Sequence, residues 1–119
     1  MTLVLVVGRK EKIDIPQLVH SGKCLRQAVA DYLSCSDEGG QLLNDDVEVH
    51  IRTRDDVMDS LSPEKYDVQV FVFADLLPAR QKNLPERCQA IASCLNAVLG
   101  RRQHGFVKIF LSPSAYSEF

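Results

Sequence analysis

The chain has 119 residues, 45% of them hydrophobic and 25% charged, with a net charge of -2. That is enough for one domain with a buried core needing neither disulfides nor metal, and the charge balance offers no basic surplus for nucleic acid or an anionic membrane. The longest apolar run, Leu3–Val7, is too short for a membrane span or a signal-peptide core, so a cytoplasmic location is the expectation.

The first element in chain order is a strand over Leu3–Val7, apolar at every position and so suited to burial on both faces, ending at Gly8. A polar link leads to DIPQLVHSGKCLRQAVADYLSC, where Ile15, Leu18, Val19, Leu25, Val29, Tyr32 and Leu33 make an apolar stripe at helical spacing. Asp14 is placed to cap this helix, Pro16 is tolerated in its first turn, and Gln17 stands at the capping-box position. After the loop SDEGGQLLND, the segment DVEVHIRTR alternates. Val47, Val49 and Ile51 fall on one side and Glu48, His50, Arg52 and Arg54 on the other, as in a strand with one buried face.

The second half repeats this order. YDVQVFVFA reads as a strand apolar at nearly every position, and NLPERCQAIASCLNAVLG as a helix with the stripe Leu84, Cys88, Ile91, Leu95, Val98 and Leu99. Asn83 and Glu86 are placed as its capping box and Gly100 as its left-handed stop. GFVKIFLSP is the last strand, closed by Pro113. The helix starts D-I-P-Q and N-L-P-E match in kind, so the reading is a tandem strand–helix–strand domain over 1–119, with halves of about 1–54 and 66–119.

Each unit should make one right-handed parallel crossover. The expected fold is α/β (α+β): a four-stranded mixed sheet with two helices on one face. Val68, Val70 and Val72 then lie on one side of their strand and Phe71 and Phe73 on the other, so the uncovered face is apolar too. Exposing it would leave a patch of several hundred Å², beyond what monomers usually tolerate; an oligomer formed across the sheets is expected.

A chain of this length, duplicated in β-α-β-β-α-β order and apolar on its second sheet face, resembles the tautomerase superfamily, which includes macrophage migration inhibitory factor. VVGRKEKIDIPQLV is similar to that family's first strand, Gly-Arg link and helix entry, and FADLLPARQKNLPERC to the second-half link. The resemblance implies a trimer with its sheets facing a central axis, and a pocket at each amino terminus. There a terminal proline amine moves a proton between carbon and oxygen, its pKa lowered by a desolvated, cationic site. It implies an isomerase of small carboxylate-bearing substrates, with no cofactor.

The chain departs from the family at that residue: position 2 is Thr2, and no proline precedes Pro16. Three readings stay open. With Met1 removed, Thr2 presents a primary amine of ordinary pKa about 7.7–8.0, a possible base or nucleophile. With Met1 kept, the amine moves by one residue, roughly 3.3–3.6 Å of extended chain, too far for a tuned geometry. In the third, the fold persists without the chemistry.

The resemblance also points to Arg9 and Arg80 as carboxylate-binding cations, a task suited to the planar guanidinium fork; solvated loop charge is the alternative for each. Arg52 and Arg54 share a strand side about 7 Å apart. They either grip a substrate's acid group or pair with Glu48, Asp55, Asp56 or a neighbouring subunit's acids. His50 shares that side; His20 and His104 read as surface residues. Tyr116 and Phe119 either cover a neighbouring subunit or fray.

Cys24, Cys35, Cys88 and Cys94 form no Cys-x-x-Cys pair and have no histidine at zinc-ligand spacing, so free thiols are expected. No metal set or glycine-rich phosphate cradle is visible. The competing reading of another class is a ferredoxin-like protein-binding or regulatory module that uses the open sheet face. It has the same element order, and strand pairing separates the two.

Overall fold

The computed structural model describes residues 2–54, 66–113, 115 and 117. Met1, Asp55, Asp56, Tyr116 and Phe119, which figure in the readings above, lie outside the described residues.

The elements are β1 (Thr2–Arg9), α1 (Ile15–Leu33), a 3-10 turn (Asn44–Asp46), β2 (Val47–Arg54), β3 (Val68–Asp75), α2 (Pro78–Lys82), α3 (Leu84–Val98) and β4 (Gly105–Ser112). The sheet order is β2-β1-β3-β4. β1 pairs with β2 in parallel from Thr2↔Val47 to Arg9↔Arg54, β3 pairs with β4 in parallel, and β1 and β3 meet antiparallel with Leu3↔Phe73. Each half therefore keeps its own parallel pair. A ferredoxin-like module splits its βαβ units with an intervening strand, so this pairing decides against that alternative fold.

The alternation along the strands sorts the two faces. Val4, Val6, Val47, Val68, Val70 and Val72 point to the helices and are fully buried, packed with Leu18, Leu25, Val29, Leu33, Ile91 and Leu95. Gly8 lies in the same row. A Cβ there would come within 2.7 Å of the Leu18 side chain, so the close approach of α1 to β1 requires glycine.

The α1 stripe is narrower than its sequence spacing suggests. Leu18, Leu25, Val29 and Leu33 are buried, while Ile15 is 63% and Tyr32 40% exposed. Small residues do the remaining packing: Ser21, Gly22 and Ala28 are buried on the same helix. Asp14 caps it as expected, accepting from the Gln17 amide at 2.8 Å.

Two features of the second half differ from expectation. The link to α3 carries a helix of its own, α2, which runs almost directly into α3 at Asn83. Asn83 consequently makes no side-chain cap; its Oδ1 instead accepts from Arg87 Nε at 2.7 Å. The exit of α3 is as expected. Gly100 takes φ +68, and the amides of Gly100 and Arg101 reach back to Ala97 and Asn96, the double bond of a Schellman stop.

The far face of the sheet has no helix over it among the described residues. Leu3, Leu5 and Val7 of β1 share this face with Phe71, Phe73, Phe106 and Phe110. Phe73 and Phe110 stack at 5.1 Å between ring centroids and are 40% and 37% exposed. Phe106 meets Phe71 edge to face. Such a surface is what a soluble chain covers by association.

Candidate functional site

Thr2 begins β1, and its side chain falls in the row of Val4 and Val6, on the helix side, 1% exposed. In register it faces Val47 on one flank, and the β3 partner beyond Leu3↔Phe73 on the other is Ala74. This end of the sheet also holds Asp75, whose successor Leu76 donates to the Ser112 carbonyl at 3.0 Å.

Arg80 lies at this same end, but not as a free cation. It is 1% exposed. Its Nε donates to Leu33 O at 2.8 Å, Nη1 to Asp75 O at 2.9 Å and Nη2 to Gly40 O at 3.2 Å. A guanidinium out of water must have its donors satisfied, and here backbone carbonyls from three segments do so. The geometry gives Arg80 the work of joining α1, the loop after it and β3; in the chain as folded, its fork is spent on the backbone.

Arg87 does related work that sequence spacing did not expose. Its Nη1 donates to Tyr32 O at 2.8 Å and Ser34 O at 2.7 Å. With Arg80 on Leu33, two arginines cover carbonyls that the carboxyl end of α1 leaves without intrahelical partners, where a positive charge is favoured. Asp37 completes this junction by accepting from the Ala79 amide at 2.8 Å.

Arg9, Arg52 and Arg54 stand at the opposite end of the sheet. Arg9 is seven residues along β1 from Thr2, about 23 Å at strand rise, and its register partner is Arg54. Arg9 Nη1 approaches Asp67 Oδ1 at 3.4 Å. Arg52 is exposed, and its Nη1 donates to the carbonyl of Ile51 at 2.9 Å. On the open-face side of β2 the column runs Glu48, His50, Arg52, Arg54, with His50 Nε2 and Glu48 Oε1 2.9 Å apart. The structure thus brings Arg9, Arg52 and Arg54 together and separates all three from Thr2 of the same chain.

A groove of about 550 Å³ opens beside the start of β2, lined by Arg26, Leu42, Asp45, Asp46, Val47 and Glu48. Arg26 Nε is held on Val47 O at 3.0 Å. Three carboxylates against one engaged cation make this groove a poor place for an anionic ligand. Among the described residues, no group of three or more His, Cys, Asp or Glu is arranged to hold a metal ion. No helix there is long and apolar enough to cross a membrane.

No protein-family model matches the chain, and no curated protein matches it. Solved structures do. A wild-type fused 4-OT, solved as a symmetric trimer, superposes with a TM-score of 0.62 at 16% identity over 93% of this chain and 85% of that one. Malonate semialdehyde decarboxylase gives a TM-score of 0.63 at 12% identity, covering 98% and 89%. A macrophage migration inhibitory factor-like protein from Entamoeba histolytica gives 0.58 at 6%, covering 94% and 87%. The fold is that of the tautomerase superfamily. This chain carries it with Thr2, not proline, at position 2.

Proposed function

We propose that the chain is a subunit of a tautomerase-type homo-oligomer, a trimer joined through its open sheet face, in which its own terminus does not act as catalytic base. The observation that carries the reading is the separation within β1. The Thr2 side chain is packed under the helices, whereas Arg52 stands about five residue rises away and Arg9 and Arg54 about seven. Arg80, the cation nearer Thr2, already serves three carbonyls. Terminal-amine chemistry needs the amine and the carboxylate-holding cation a few ångströms apart, and this chain alone does not supply that pair.

One observation favours a second reading, a weak keto–enol tautomerase of small carboxylate-bearing substrates. Three arginines at one corner of the sheet make a cationic site, and a trimer can bring a neighbour's terminus to it. In that version the amine of Thr2, freed by removal of Met1, is the base. Arg9, Arg52 or Arg54 of an adjacent subunit holds the carboxylate.

The deciding experiment combines light scattering, mass spectrometry of the terminus and ketonisation of phenylenolpyruvate by wild-type and Thr2→Pro protein. The expected result is a trimer with no wild-type rate above buffer. A wild-type rate abolished by Arg9→Ala overturns the non-catalytic reading in favour of the second, and a monomer at micromolar concentration overturns the assembly.

A further inference from the structure

Of the four cysteines, Cys35 is buried and the other three are partly exposed. Cys88 donates its thiol to Val107 O at 3.2 Å, with burial pushing that thiol's pKa up. Although far apart in sequence, Cys24 and Cys94 line one groove of about 410 Å³ between α1 and α3, together with Gln27, Ala28, Asp31, Tyr32, Ala97 and Val98. His20, one helical turn before Cys24, places Nε2 4.0 Å from the Cys24 sulfur. The groove lies on the helix side of the molecule, away from the apolar sheet face, so it stays open when that face is covered.

We propose that this groove is a dithiol exchange site for small-molecule disulfides, with Cys24 as the attacking thiol and Cys94 as the resolving one. Two partly exposed thiols that line one groove share access to the same reagent, which reaction through a thiolate requires. Cys24 is assigned the first step because His20 Nε2, a proton acceptor, lies 4.0 Å from its sulfur. The Cys24 thiolate attacks one sulfur of RS–SR, having given its proton to His20. The reagent's S–S bond breaks, a Cys24–SR bond forms, and RS⁻ leaves and takes that proton. Cys94 then loses its proton and attacks the Cys24 sulfur. The Cys24–Cys94 bond forms, and the second RS⁻ leaves as RSH. In sum, two protein thiols are oxidised to one cystine and one RS–SR is reduced to two RSH. The new bond joins α1 to α3 and closes most of the chain into one loop, which restricts the unfolded ensemble.

The test is to expose the native protein to oxidised glutathione, follow intact mass and map the linkage by peptide digestion. The expected product is an internal Cys24–Cys94 disulfide, reversed by dithiothreitol, that raises the urea midpoint. In Cys94→Ser the reaction stops as a mixed disulfide on Cys24. In Cys24→Ser adduct formation on Cys94 is several-fold slower. His20→Ala slows iodoacetamide labelling of Cys24 several-fold while leaving Cys94 labelling unchanged. Mixed disulfides that persist on both cysteines of the wild-type protein overturn the proposal, as does equal reaction at Cys35 and Cys88 or no reaction at all. Circular dichroism of each variant separates loss of exchange from loss of fold.

Discussion

Arg80 Nε donates to the carbonyl of Leu33 at 2.8 Å, and that bond fastens the second-half link to the end of the first helix. The other two donors extend the junction to β3 and to the loop after α1. Arg80→Ala would leave three carbonyls short of a partner and open a hole the size of a guanidinium stem. The expected loss is about 3 kcal/mol of unfolding free energy, read as a lower urea midpoint, with Arg80→Lys recovering only part because an ammonium lacks the planar fork. Unchanged stability with loss of carboxylate binding would return Arg80 to the ligand role.

Gly8→Ala tests the approach of α1 to β1. The new methyl would meet Leu18 Cδ2 at 2.7 Å and Ile13 Cγ2 at 2.8 Å. Both contacts are the ends of flexible side chains, so the fold should survive at a cost of about 1–3 kcal/mol. Thermal unfolding should show a lower midpoint and an unchanged far-ultraviolet spectrum.

Phe73→Glu addresses the open face. Phe73 is 40% exposed and stacked on Phe110, so a charge there is tolerated by the isolated subunit but disfavoured within an apolar interface. The expected outcome is conversion of the oligomer to a folded monomer by light scattering. A mutant that keeps the wild-type mass shows that association uses another surface.

Cys88 gives a pH dependence with a definite sign. Burial raises its thiol above the ordinary value of 9.0, so the folded state holds the proton more tightly than the unfolded chain does. Its contribution to stability is therefore complete below that ordinary value and is lost as pH rises through the higher folded one. Urea midpoints measured on either side of pH 9 should fall with pH in the wild-type protein and less steeply in Cys88→Ala. Equal slopes would exclude the thiol as the source.

Much of the fold was legible in the residues themselves. The unbroken apolar runs in β1 and β3, the alternation in β2 and the cap at Asp14 each reflect a local requirement of burial or backbone hydrogen bonding. The helix α2 was not legible, because PARQK has no apolar stripe and is held by Arg80 reaching distant carbonyls. Asn83 illustrates the same limit. Its residue type suits a cap, but the preceding helix gives it another conformation, and its side chain goes to Arg87. The distance of Arg9 from Thr2 follows from the length of β1 itself. That Arg52 and Arg54 join Arg9 at that end depends on the parallel register of β1 and β2, which their spacing alone does not state.

By itself the sequence determined the order of the four strands and two long helices, the two strand–helix–strand units, the apolar character of both sheet faces and the absence of proline at position 2. These depend on side-chain periodicity and identity, which are local. Only the tertiary structure decided which groups meet. It put Arg80 on three carbonyls and Cys24 in one groove with Cys94, it placed the Thr2 side chain under the helices, and it gathered Arg52 and Arg54 with Arg9 at the far end of the sheet. The physical reason is that a charge or a thiol acquires its role from neighbours within a few ångströms, and here many of those neighbours, such as Leu33 and Gly40 for Arg80, come from the other half of the chain.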